Sequence, residues 1–548
     1  MSSLLSPRPR LACLALLLAA GCAHQPGNSD PRNREQGENQ LALAALTPTQ
    51  PASTQQPGRS ATPNFESAPA FFEQLTSEAQ ALAEKPAVPP QQMQLPRELA
   101  NLDYDGYRNI RFRPERSLWR GQPGRFEVQF FHPGPAYRDP VSIAALDGDD
   151  AVPVPFSSDL FTYQGLDHPQ SGAGLEFTGF RVHTPLNRDD YRDELIAFHG
   201  ASYFRALGKG NVYGVSARGL AIDLGAPKPE EFPVFSHFYL QKPGASDHSV
   251  WILALLESRR ATGAYAFRVQ PGVSTWVDVE ARVFLRDAHA AIGLAPLSSM
   301  YLCGEEAPNC FGDFRPEIHD SDGLASWGSN GERLFRPLRN PKRTVTSSFR
   351  LDSPRGFGLL QRDRTFDHYQ DLEARYQDRP SVWVQPASGF ERGSLRLLEI
   401  AARAETGDNV ALAWVPDAPP ALPQRLELRY RLHFAAAGDW SNAPGQVAAT
   451  RIARTAHGVR FLVDFAVQRP MAPSNGADGK PAGGVDAVIS ASNGRVTEQH
   501  LEENPFAHTL RASFEVQPEG KRDVELRAFL KSGTDTLTET WSYAWQTD

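Results

Sequence analysis

Methionine and cysteine are scarce in this 548-residue chain, at four each, and no long run of Leu, Glu, Lys and Ala at helical period is present. Both absences argue against a helical bundle. Positive charge is also short: 56 basic residues stand against 64 acidic ones, for a net charge of −8, so the basic footprint of a nucleic-acid binder is missing. The sequence also lacks a G-x-S-x-G elbow, a G-x-x-x-x-G-K-S/T loop, an H-E-x-x-H pair and a G-x-G-x-x-G turn. Serine hydrolase, nucleoside triphosphatase, zincin and dinucleotide readings fall away with them, and nothing calls for a cofactor or a metal. What is present, 41% hydrophobic and 22% charged residues with 45 prolines and 43 glycines spread along the chain, describes a globular protein large enough for two domains.

Arg8 and Arg10 precede the apolar run Leu11–Ala20, which ends in Ala19-Ala20-Gly21-Cys22. Residues 1–22 read as a secretory signal whose Cys22 is a candidate for lipidation; cleavage without a lipid is the alternative. The run is too short for a stable bilayer span. Residues 23–64 shift to Gln, Pro, Ser, Asn and Thr, a composition expected to stay disordered and to act as a tether. Outside the signal only Cys303 and Cys310 remain, and in an oxidising compartment so close a pair is expected to form a local disulfide. No further Cys or His stands at zinc-site spacing around them.

The body reads as strands. Phe71, Phe72, Leu75, Ala79 and Leu82 fit one helical face that ends at Lys85-Pro86, the clearest helix in the chain. Beyond it, period-two alternation dominates, as in residues 126–130, 277–283, 426–434 and 459–467. Such segments, separated by Gly, Pro and Asp turns, predict an all-β architecture of stacked antiparallel sheets. The stretch Pro416-Asp-Ala-Pro-Pro-Ala-Leu-Pro423 is a candidate border. It would divide a large β-sandwich, residues 65–418, from a smaller sandwich of immunoglobulin size, residues 424–548.

Two polar islands stand out. Asp313-Phe-Arg-Pro-Glu317-Ile-His319-Asp320-Ser-Asp322-Gly323 carries four carboxylates; their mutual repulsion either lifts a pKa into a useful range or is relieved by arginines, for which Arg315, Arg333, Arg336 and Arg339 are near in sequence. A calcium loop of the EF-hand kind would need ligands at Ile318 and Ser329 and does not fit. Glu405-Thr-Gly-Asp408-Asn409, between two apolar stretches, reads by itself as a hairpin turn.

The segments Tyr107-Arg-Asn-Ile-Arg-Phe-Arg-Pro114, Ser202-Tyr-Phe-Arg-Ala-Leu-Gly208, Ala295-Pro-Leu-Ser-Ser-Met-Tyr301, Phe314-Arg-Pro-Glu-Ile-His-Asp-Ser-Asp-Gly-Leu324, Pro354-Arg-Gly-Phe-Gly-Leu-Leu-Gln-Arg362, Arg379-Pro-Ser-Val-Trp-Val384 and Thr540-Trp-Ser-Tyr543, in that order, resemble the periplasmic glucan biosynthesis proteins of the G and D type. The resemblance runs from about residue 65 to the C-terminus. It implies a large galactose-mutarotase-like β-sandwich followed by an immunoglobulin-like domain, in the periplasm of a Gram-negative bacterium. It also implies action on β-1,2-glucan, by inverting hydrolysis or transglycosylation or by non-catalytic carriage beside a membrane glucosyltransferase, and a homodimer is compatible with it. By similarity Asp408 takes the place of the general acid and Asp320 that of the general base, acting through a relay. Tyr203, Arg205, Tyr301, Trp327, Arg362, Tyr369, Asp371, Tyr376 and Trp383 lie in or beside the matching motifs and are candidates for glucan binding, since such chains need flat apolar platforms and planar hydrogen-bonding groups.

Overall fold

A computed structural model describes residues 63–88, 91–148, 150–165, 174–307, 312–418, 425–438, 440, 443, 445–467, 484–520 and 522–547. The signal with Cys22, nearly all of the tether, and Cys310 lie outside the described residues. Cys303 is buried and disulfide-bonded.

The expected helix forms over Phe71–Ala83 and buries Phe71, Phe72, Leu75 and Ala79. Its apolar face rests on Leu253, Leu255, Ala264, Ala266 and Phe284. This explains why the strand Ala261–Gln270 is buried almost throughout its length instead of alternating: one side faces the helix and the other the sandwich core. Strands Thr275–Leu285, Arg425–Ala435 and Val459–Val467 occupy the segments that alternation predicted. Glu127–Phe130 is buried on both faces.

Nearly all remaining regular structure among the described residues is strand, arranged in two large sheets, a four-stranded sheet and two two-stranded ribbons. One ten-stranded sheet includes, in spatial order, Tyr203–Ala206, Ser216–Arg218, Ile292–Ser299, Val410–Pro416 and Gly393–Glu399. It faces a fifteen-stranded sheet that contains Gly356–Leu360, Ser381–Ser388, Arg425–Ala435 and Thr275–Leu285 side by side. Phe198, Phe204, Phe235, Phe267, Trp414 and Tyr430 are among the side chains that fill the space between them, as expected for sheets packed face to face.

The proline-rich stretch does not separate the two cores. After it, Arg425–Ala435 pairs with Thr275–Leu285 and with Ser381–Ser388, and Leu428, Tyr430, Leu432 and Phe434 belong to the large core. The chain enters the smaller sandwich only afterwards, through Gly445–Arg454. That sandwich packs a four-stranded sheet against the far end of the long sheet, where Thr540–Trp545 runs parallel to Arg333–Pro337. The two sandwiches thus share one continuous sheet.

Candidate active site

The floor of the site follows from period-two geometry on one face of the ten-stranded sheet. Tyr203 and Arg205 are two apart on one strand; Tyr203 stands opposite Arg218 on the next, and Arg205 Nε donates to Ser216 Oγ at 2.5 Å. Ser298, on the third strand, is the register partner of Ser216. One face therefore presents Tyr203, Arg205, Ser216, Arg218 and Ser298.

The two candidate acids arrive from loops, and both are anchored where the strand Ile292–Ser299 ends. The main-chain N–H of Asp320 donates to the Met300 carbonyl at 2.8 Å. One residue further, the Tyr301 N–H donates to Asn409 Oδ1 at 2.8 Å, and Asn409 Nδ2 donates back to the Tyr301 carbonyl at 2.9 Å. Asn409 is 4% exposed, so this side chain fixes the start of the strand Val410–Pro416 and, with it, the preceding Asp408. Asp320 and Asp408 are brought together by neighbouring anchor points in spite of their separation in the chain.

Their environments differ. Asp408 is 22% exposed, with Oδ1 4.0 Å from Arg205 Nη2. Burial pushes its pKa above the ordinary carboxyl value and the negative charge of Asp320 pushes the same way, while Arg205, Arg218 and Arg379 pull it back. Asp320 is 4% exposed and ion-paired to Arg379. The Arg379 guanidinium also lies 4.3 Å from the centre of the Tyr376 ring, and the Tyr376 hydroxyl donates to Glu405 Oε2 at 2.6 Å. Arg315 closes the rim by donating to Glu405 at 2.9 Å, Asp371 at 2.8 Å and Asp313 at 2.8 Å. Three loops are joined in this way around the acids.

The four-carboxylate segment now sorts itself. Asp313 pairs with Arg315. Asp322 accepts from the main-chain N–H groups of Arg362 and Asp363. Glu317 accepts from His319 Nε2 at 2.9 Å. Of the four, Asp320 is the one whose charge acts on Asp408. Of the arginines near in sequence, none does the relieving at Asp320: Arg315 serves the rim, Arg333 stacks on Trp327 at 4.0 Å, Arg336 pairs with Glu525 and Arg339 with Glu399. The counter-ion is Arg379, 59 positions away; it opens one of the motifs that carry the resemblance, but nothing local in the sequence tied it to Asp320. Arg218 and Glu405 were missed likewise, although Glu405 belongs to the second polar island.

Behind the acids lies a packed polar layer. Tyr301 donates to Glu306 Oε2 at 2.6 Å and stacks on His319. Fully buried Tyr369 accepts from Gln361 Nε2 at 2.9 Å. Burial opposes the charge of His319, but the hydrogen bond to Glu317 and the charges of Asp322 and Glu317 outweigh it and raise the imidazole to about 9. Burial lifts Glu306 to about 7, against the pull of the Tyr301 hydroxyl. Among the described residues one group has metal-ligand spacing, Glu317, Asp363 and His368, with ligand atoms within 4.8 Å of one another; Glu317 is already held by His319 and Asp363 by His368.

Of the nine candidate binding residues, Tyr203, Arg205, Asp371 and Tyr376 join the acids or their rim. Tyr301 and Tyr369 support them from behind. Trp327, Arg362 and Trp383 are placed at the joint of the two sandwiches. Arg362 makes two hydrogen bonds to Glu539, at 2.5 and 3.0 Å, and one to the Val447 carbonyl. Trp383 stacks on Trp440 with centroids 6.0 Å apart, and Trp327 lies between Arg333 and Arg355.

The sequence model of the periplasmic glucan biosynthesis protein MdoG family matches residues 71–545, which take in both sandwiches and every residue of this site. The chain belongs to that family. It is 41% identical to the glucans biosynthesis protein G of Rhodopseudomonas palustris (strain BisA53), over 94% of this chain and 99% of the relative. It is 41% identical to the protein of the same name from Ralstonia nicotianae, over 86% and 94%, and 40% identical to that of Sodalis glossinidius, over 86% and 92%. Membership in the MdoG family gives the chain a role in periplasmic glucan biosynthesis. Among the described residues no helix is long and apolar enough to cross a membrane.

Proposed function

We propose that the chain is exported to the periplasm of a Gram-negative bacterium and there cleaves or transfers β-1,2-glucan by an inverting mechanism, with Asp408 as general acid and Asp320 as general base through a relay. The observation that carries this reading is the contrast between the two carboxyls: one biased toward its protonated form by desolvation and by its neighbour's charge, the other fixed in an ion pair with Arg379. Inversion requires that asymmetry, a proton ready for the bridging oxygen and a carboxylate to receive one from the attacking hydroxyl. Arg379 occupies Asp320 directly, which fits a base that works through an intervening water or sugar hydroxyl. Tyr203 and Arg205 supply an aromatic face and planar donors along the floor.

The same Arg379–Asp320 pair also favours a second reading, a glucan-binding scaffold that assists the membrane glucosyltransferase, because a carboxylate so engaged can serve structure alone. Incubation with linear β-1,2-glucan, with chain length and anomeric configuration followed by NMR, separates the two. Wild type is expected to change the chain-length distribution with inversion, and Asp408→Asn and Asp320→Asn are each expected to lose about 10²–10⁴-fold in kcat. Unchanged glucan with wild type, or full activity in Asp408→Asn, removes the enzyme reading. Lipid attachment at Cys22, a homodimer and the Cys303–Cys310 pairing belong to the same proposal.

A further inference from the structure

Arg218 is 3% exposed, and the mechanism above gives it no contact with the reacting groups. Its guanidinium lies 5.4 Å from the Tyr203 ring centre and 5.6 Å from that of Phe232, with Nη1 donating to Glu230 at 2.7 Å. Nε and Nη2 are buried and have no acceptor among the described residues. Idle donors on a buried cation are costly unless a ligand or water satisfies them. The two rings that enclose this cation also line a cavity of about 370 Å³ that reaches Tyr137, His199, His237 and Glu257, a size within the range of small-ligand sites. Phe232 is 39% exposed, a large aromatic at the lip of the cavity. His199 stacks on Tyr137 with centroids 3.8 Å apart; burial lowers its pKa to about 3, so it is an uncharged member of the wall.

The cavity and the acid site share Tyr203. This residue lies on one strand face with Arg205, about 7 Å further along, whose guanidinium is 4.0 Å from Asp408. Aromatic faces beside planar polar groups, here the carboxylates of Asp139, Glu176 and Glu257 and the Arg286 guanidinium, suit a pyranose ring, which offers an apolar C–H face and a rim of hydroxyls.

We propose that this cavity is a second saccharide subsite, entered past Tyr203, in which glucosyl units remote from the scissile bond lie against Phe232 while Arg218 backs the aromatic wall. The subsite rests on the glucan reading above for its ligand class, and its occupancy sets the chain length that the protein prefers.

Calorimetric titration of Asp408→Asn protein, which binds without turnover, tests this with linear β-1,2-gluco-oligosaccharides of increasing length. In that background Phe232→Ala is expected to weaken long chains about tenfold and to leave the shortest bound ones unchanged, because only long chains reach the cavity. His237→Trp, which narrows the cavity from within, is expected to act in the same direction, with circular dichroism confirming the fold. Affinities unchanged by both substitutions at every length overturn the subsite while leaving the acid pair untouched. Length-dependent loss in a protein that never cleaves glucan supports the subsite and removes the enzyme reading. No glucan binding at any length removes both.

Discussion

Arg205 illustrates how one side chain can tune this site. Its Nε is fixed by Ser216, which leaves Nη2 facing Asp408. A cation there favours the ionised carboxyl and so works against the raised pKa that burial and Asp320 impose. In Arg205→Gln that opposition is gone and the Asp408 pKa rises further. An acid must hold its proton to act, so the alkaline limb of the kcat–pH profile moves to higher pH, whatever happens to KM. A limb that stays in place or moves toward lower pH contradicts the assignment of Asp408 as the acid. Asp320→Asn has the opposite electrostatic sign, since it removes a negative charge that holds the Asp408 proton.

At the scale of elements, the loop before Val410–Pro416 does two jobs. It joins that strand to Gly393–Glu399 as an antiparallel connection, which is the hairpin role its composition suggested, and it carries Asp408 and Glu405 into the site. Asn409 makes both jobs compatible, because its amide satisfies the Tyr301 N–H and carbonyl and also donates to the Ile400 carbonyl at 3.0 Å. Asn409→Ala leaves those buried groups unpaired and is expected to cost about 1–3 kcal/mol in a urea titration. Turnover of glucan should fall by more than the lost stability explains, since Asp408 loses its anchor. Equal stability and equal turnover in the variant would mean that the loop is positioned by something else. Arg315 braces the same loop from outside through Glu405.

At the scale of the whole molecule, the shared sheet makes the two sandwiches one mechanical unit. Arg362 and Glu539 tie them beside that sheet, and Glu539, 4% exposed at the side chain, also accepts from the Val447 N–H at 2.7 Å. Glu539→Gln leaves the Arg362 cation without its partner and is expected to cost on the order of 3 kcal/mol. The urea transition should shift as a single step because the long sheet couples both cores; two separated transitions would show that the sandwiches melt independently. Alternation and helical period, which depend only on neighbouring residues, were enough to place Phe71–Ala83, Val459–Val467 and an all-β class, and the family motifs singled out Asp320 and Asp408. Proline at 416–423 marks only where a strand must stop, so it could not say to which sheet Arg425–Ala435 returns. For the same reason an arginine or tryptophan in a motif reads alike whether it lines a glucan path or, as with Arg362 and Trp383, fills a joint. Only the tertiary structure decides that Asp320 and Asp408 meet and that Arg379 faces them, because the meeting depends on hydrogen bonds such as Tyr301 to Asn409, made across 108 positions. Those contacts follow from which distant strands the sheet sets side by side, and a pattern of neighbouring residues does not say which strands those are.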